Sequence, residues 1–202
     1  MSDGLVTAST AVDPQAFAHI RVVIGVVTGL SVTRLLGGLS RFVQHPGLNR
    51  IYPPHLAWVV FVLLSVIHFW WFEFGLFRVA QWGFGEYVFV LSYAALIFFI
   101  STLLFPDHLA DYSGYENYFH SRQKWFYGLL AAFFVVDMVD SALKGGQYFE
   151  ALGSVYPVRQ TLLSLLCIAA AFIKKRSYHL AFAVAAIVAE IWWIFSQFRF
   201  LE

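Results

Sequence analysis

The sequence predicts an all-α polytopic membrane protein, one domain built as a bundle of six transmembrane helices, and three observations carry that prediction. Of the 202 residues, 60% are hydrophobic and only 12% are charged, with a mean hydropathy of +0.70. That is more apolar surface than a water-soluble domain of this length needs. The apolar residues fall in runs near the roughly 20-residue length that crosses the hydrocarbon of a bilayer, separated by proline and glycine. Aromatic residues make up 19% of the chain, including 7 Trp and 10 Tyr. Many Trp and Tyr stand at the ends of the runs, where amphipathic rings suit the headgroup region.

The first span is expected at about 20–43. His45-Pro46-Gly47 and Pro53-Pro54 follow it, and proline cannot continue a helix. Its Gly25, Gly29, Thr33 and Gly37 place a small residue at every fourth position, a spacing that lets helix backbones approach closely in lipid. Packing inside the bundle is the expected use of that stripe, and contact between copies is the alternative. The second span, about 56–77, aligns Ser65, His68, Phe72 and Gly75 on one face. Glu73 lies about 140° around that helix from His68. The third, about 87–105, ends before Pro106.

Residues 106–124 contain Asp107, His108, Tyr112, Tyr115, Tyr118, Phe119, His120, Arg122 and Lys124. No zinc or calcium spacing is present there, so the segment is expected to lie in the headgroups with Arg122 and Lys124 toward anionic lipid. The fourth span, about 125–143, carries Asp137, Asp140, Ser141 and Lys144 along one face, with Asp140 and Lys144 four residues apart and able to pair. Gly145-Gly146 and Pro157 separate it from the fifth span, about 158–173, the shortest of the six. The sixth, about 178–198, offers a second small stripe in Ala181, Ala185 and Ala189.

Orientation follows from the basic residues. The first, third and fifth loops carry Arg41, Arg50, Arg122, Lys124, Lys174, Lys175 and Arg176, against Arg21, Arg78, Lys144, Arg159 and Arg199 on the opposite side. The positive-inside bias then places both termini on the non-cytoplasmic side, and a bacterial plasma membrane is the expected location. The opening 18 residues contain Asp3 and Asp13 but no basic residue, which does not read as a signal peptide. Glu73, Asp140, Glu86 and Glu150 fall toward the outer side, where acidic groups would concentrate cations.

Depth singles out a polar layer. At about 1.5 Å per residue, His68, Asp137 and Glu190 each lie about 18 Å from the same membrane face, with Tyr93 at that level and Arg34 at about 13–14 Å. Ionisable groups at mid-membrane are costly and read as functional by default. If Arg34, His68, Asp137 and Glu190 face one another, Arg34 contributes one positive charge against two negative charges from Asp137 and Glu190. The balance of −1 calls for a proton, an imidazolium at His68 or a bound cation. A structural pairing of the same groups is the alternative for each residue taken alone.

Several chemistries are excluded. A lone Cys167 makes neither an intramolecular disulfide nor a thiolate metal cluster. No phosphate-binding loop, hydrolase elbow or zinc-protease motif occurs, and the sequence has no features of a nucleic-acid binder. Neither a metal nor a cofactor is expected. Haem ligated through His68 is the one candidate, and it would need an edge ligand from His19, His55 or His179. The sequence therefore points away from an enzyme and toward a channel or transporter for a small cation, the proton among them, assembled as a homo-oligomer in the lipid bilayer. Arg34 would be the counter-ion, Asp137 and Glu190 the cation-binding pair, His68 the pH-sensitive group and Tyr93 a hydrogen-bonding wall. A structural or assembly subunit of a larger membrane complex is the competing class, and a haem-binding redox or enzymatic protein the third.

Overall fold

The computed structural model describes residues 14–45, 47, 50–79 and 82–197. Pro46, Arg199 and the acids Asp3 and Asp13 lie outside them. The described residues form seven α-helices and no strand: α1 (Pro14–Gln44), α2 (Pro53–Phe72), α3 (Phe84–Thr102), α4 (Tyr115–Leu143), α5 (Gly146–Ala151), α6 (Val155–Ala170) and α7 (Arg176–Gln197). A 3₁₀ segment, Glu73–Arg78, continues α2.

Five helices are long and apolar enough to cross a membrane: α1, α2 with its 3₁₀ extension, α3, α4 and α7. The fifth expected span is the exception. Helix α6 has 16 residues, about 24 Å at 1.5 Å each, less than a full crossing needs. Outward faces are apolar, with Val26, Leu30, Ile67, Phe99, Leu165 and Val188 all exposed. Such a surface is stable against lipid and not against water. The chain is an integral membrane protein.

Local chemistry sets the helix starts. Pro53 and Pro54 open α2, where the missing N–H is an orphan in any case. Before α3, the Glu86 carboxylate accepts from the Gly83 N–H at 3.0 Å. Gly114 precedes α4 at φ +126°, a conformation that favours glycine.

Helix α4 overturns the expected headgroup segment in part. Residues 115–124 are its first turns, because Tyr115, Tyr118 and Phe119 recur at helical spacing and are buried. Tyr115 stacks on His55 with ring centroids 4.8 Å apart and meets Phe42 at 4.9 Å. Gln123 Nε2 donates to the carbonyls of Ala170 at 2.7 Å and Ile173 at 2.6 Å. It thereby satisfies carbonyls that the end of α6 leaves without partners.

The most extensive packing joins α4 to α6, α1 to α3 and α2 to α7. Close approach uses Gly38, outside the expected stripes, and Gly25 alone of the glycines in the α1 stripe. A side chain at Gly38 would collide with the Phe105 ring at 2.2 Å and one at Gly25 with the Trp70 ring at 2.9 Å, whereas Gly29 and Gly37 have nothing within 4 Å. Gly29, Thr33 and Gly37 are exposed. On α7 the buried alanines are Ala183 and Ala186, while Ala181 and Ala185 are exposed. The helix rotations that bury Ile24 and Leu35 on α1 and Phe182 on α7 turn Gly29, Thr33, Gly37, Ala181 and Ala185 outward.

Antiparallel succession brings the ends of α2, α4 and α7 together with the starts of α1, α3 and α6. Arg21 near the start of α1 sits 4.3 Å over the Phe74 ring, which fixes α1 to the same end of the bundle as the 3₁₀ segment.

Candidate functional site: a buried charge network at one end of the bundle

Helix α7 supplies Glu190, buried and bonded through both oxygens. His68 Nδ1 of α2 meets Oε1 at 2.7 Å. Arg159, one turn into α6, donates from Nη2 to Oε2. Its guanidinium also lies 5.6 Å from the Trp193 ring centroid, and its Nη1 donates to Gln160 Oε1 at 3.2 Å. Gln160 Nε2 in turn donates to Asp137 Oδ2. Four helices are thus tied by one continuous chain of polar side chains, from His68 through Glu190, Arg159 and Gln160 to Asp137.

Asp137 of α4 is the far anchor. It accepts from Tyr93 on α3 at 2.8 Å through Oδ1 and from Tyr156 on α6 at 2.6 Å through Oδ2. Ser141 Oγ lies 2.6 Å from the Tyr156 hydroxyl. Since that hydroxyl's one hydrogen goes to Asp137, Ser141 is the donor in this pair. A carboxylate is an acceptor only, and three donors on Asp137 match that requirement.

One turn along α4, toward the end of the bundle, lies a second charged group. Lys144 Nζ donates to Asp140 Oδ2 at 2.5 Å and to Glu73 Oε1 at 3.1 Å, and rests 3.4 Å from the Phe72 ring centroid. Glu73, Asp140 and Lys144 are 2%, 0% and 2% exposed. The i,i+4 pair forms inside the protein, covered by the 3₁₀ segment, so the two acids are buried at this end of the bundle and do not line an open mouth. A Cβ at Gly75 would stand 3.2 Å from Lys144 Cδ, so a glycine lets that segment close over the lysine.

Of the expected layer, the structure brings His68, Tyr93, Asp137 and Glu190 into one network and leaves Arg34 out. Arg34 Nη2 instead donates to Asp107 Oδ1 at 2.5 Å and to the Phe105 carbonyl at 2.7 Å, at the opposite end of the bundle. Ten residues from the end of α1 its long side chain reaches the α3–α4 connection, and its helix face does not turn toward α4 or α7. There it lines a cleft of about 380 Å³ with Asp107, His108, Asp111, Tyr112 and Arg122. The hydrogen bond from Arg34, then its charge, hold the Asp107 carboxyl below the usual carboxylate range.

Arg159, Gln160 and Tyr156 were not singled out from sequence. Their signal was present: Tyr156 and Gln160 are four apart and fall on the buried stripe of α6 with Leu163, Ser164 and Cys167. With the span placed at 158–173, Arg159 falls among the loop charges, whereas α6 begins three residues earlier at Val155. Lys144, which directly follows α4, is buried as well. The candidate edge ligands for haem are engaged with protein partners. His55 Nε2 meets the Leu104 carbonyl at 2.5 Å and His179 Nδ1 the Tyr127 hydroxyl at 2.7 Å. His19 stacks beside Tyr87 with ring centroids 6.3 Å apart.

No protein-family model, curated protein or solved structure matches the chain.

Proposed function

We propose that the protein is a membrane transporter or channel for a small cation, foremost a proton, working through the chain His68–Glu190–Arg159–Gln160–Asp137. One observation carries this reading: two carboxylates of one network, the half-buried Asp137 and the buried Glu190, are joined through a single fixed cation, Arg159, which meets Glu190 directly and Asp137 by way of Gln160. Their formal balance is −1. A charge left uncompensated in hydrocarbon is severely penalised, so the network completes itself with a cation from outside or with an imidazolium at His68. His68 is bonded directly to Glu190, and imidazole is the side chain that ordinarily titrates near neutrality. Tyr93, Tyr156 and Ser141 add hydroxyls that hydrogen-bond around the Asp137 end of the network.

Flux into liposomes containing the purified protein tests the proposal, with voltage, pH and cation identity varied. A voltage-driven cation or proton current is expected, changing in rate over about pH 5–8, where histidine ordinarily titrates. Glu190→Gln is expected to abolish or retune the current, and His68→Phe chiefly to flatten its pH dependence. Well-folded protein that passes no ion under any condition sinks transport and leaves the structural subunit as the reading.

Orientation belongs to the same proposal. Two of the five basic residues counted for the network side, Lys144 and Arg159, are inside the protein, so the exposed basic residues favour the opposite end more strongly than the raw sequence does. The network would then face the non-cytoplasmic half of the bilayer. A cysteine placed at the exposed Ser154 is expected to react with an impermeant thiol reagent on intact cells, and one at the exposed Ser177 to be protected. Native Cys167 is buried and gives no background. The reverse pattern would invert the orientation and leave the network intact.

A further inference from the structure

We infer that Glu73 and Asp140 hold one proton between them, as a carboxylic acid bonded to a carboxylate, making their group with Lys144 a second proton-binding site beside the Asp137–Glu190 network. This assignment concerns occupancy and stands or falls separately from transport.

Lys144 uses one oxygen of each acid, Glu73 Oε1 and Asp140 Oδ2. The remaining oxygens, Glu73 Oε2 and Asp140 Oδ1, are buried and have no hydrogen-bond partner among the described residues. Buried polar atoms without partners are rare and costly. Here two of them belong to side chains drawn to the same ammonium nitrogen. Two carboxylates cannot hydrogen-bond each other unless one is protonated, and a single proton satisfies both orphaned oxygens at once.

Charge gives the same answer independently. Two acids and one ammonium sum to −1 in a site that water does not reach. The other groups that face it do not supply the missing charge. Asp137 lies one turn below on α4 and adds negative charge, Tyr93 of α3 donates to Asp137 at 2.8 Å, and Tyr148 of α5 is neutral. Arg78 is exposed and held 5.6 Å over the Tyr148 ring. Phe72 covers the ammonium on its remaining side. A divalent metal ion would need about six oxygen ligands, and no set of three or more acidic, histidine or cysteine side chains among the described residues gathers to hold one. A proton is the one cation that fits two oxygens.

Infrared spectroscopy of the purified protein at neutral pH tests the assignment through the carbonyl stretch of a protonated carboxyl group. Wild type is expected to show that band, and Glu73→Gln and Asp140→Asn each to lose it, because the acid that remains pairs one to one with Lys144. Each single variant is expected to unfold within a few degrees of wild type, since an amide imitates the neutral acid. The double variant Glu73→Gln/Asp140→Asn strands Lys144 and is expected to unfold at a temperature lowered by more than the two single effects combined. A band unchanged in both single variants would overturn the assignment. So would a band that is missing in sodium and appears when choline replaces it, which would make the occupant a metal cation. Loss of the band in protein that shows no flux would leave the proton site standing and remove only the transport reading.

Discussion

Arg159→Gln is expected to lower the stability of the folded protein by about 3–5 kcal/mol, the usual cost of removing one partner from a buried ion pair. The guanidinium is the fixed cation of the network and touches Glu190 directly and Gln160 at 3.2 Å. Without it, Glu190 keeps only His68, and the network carries an uncompensated negative charge. Adding Glu190→Gln removes one of the two carboxylates and returns the fixed charge of the network to its original −1. The double variant is therefore expected to recover much of the loss, and its free energy not to equal the sum of the single effects. Denaturant or thermal unfolding of the four proteins in the same detergent reads this. Strict additivity would show that Arg159 and Glu190 do not act as a unit. Arg34→Gln should cost less than Arg159→Gln, because its partner Asp107 is exposed to solvent.

The second large effect is expected at Lys144. Lys144→Met removes the only ammonium bonded to Glu73 and Asp140, again a loss of about 3–5 kcal/mol. Here the recovery should come from neutralising the acids: Glu73→Gln/Asp140→Asn/Lys144→Met leaves no charge in the site and is expected to be more stable than Lys144→Met alone. Replacing a buried ion group with neutral side chains of similar size is often near-neutral in stability. A triple variant no better than Lys144→Met would show that the lysine acts through packing against Phe72 and Gly75 and not through its charge. The two experiments address neighbouring turns of α4, so combining Arg159→Gln with Lys144→Met is expected to show coupling through Asp137.

Helix rise made part of the site legible from sequence. Depth along a helix follows from counting residues, and counting put His68, Tyr93, Asp137 and Glu190 at one level. The structure brings those four into one hydrogen-bonded network. The i,i+4 spacing of Asp140 and Lys144 likewise announced a pair that the structure contains. Tyr156 and Gln160 could have been found by asking which polar residues fall on the buried stripe of α6.

Rotation about the helix axis is what counting does not supply. Arg34 is close in depth to the layer, yet α1 turns it toward Asp107 at the opposite end, while the cation that meets Glu190 comes from α6. The small-residue stripe of α1 packs only at Gly25 for the same reason, since Gly29, Thr33 and Gly37 keep their spacing whichever way the helix faces.

The sequence by itself determined the solvent of this protein, the number of long apolar helices to within one, and the level at which its interior becomes polar. Those follow from composition and from the rise per residue, both local quantities. Only the tertiary structure decided which cation compensates which carboxylate and that Lys144 is buried. Each depends on where neighbouring helices sit and how the Glu73–Arg78 turn folds back over the end of α4. Charge partners in a bundle are set by packing between segments distant in the chain, and that information is not contained in any one span.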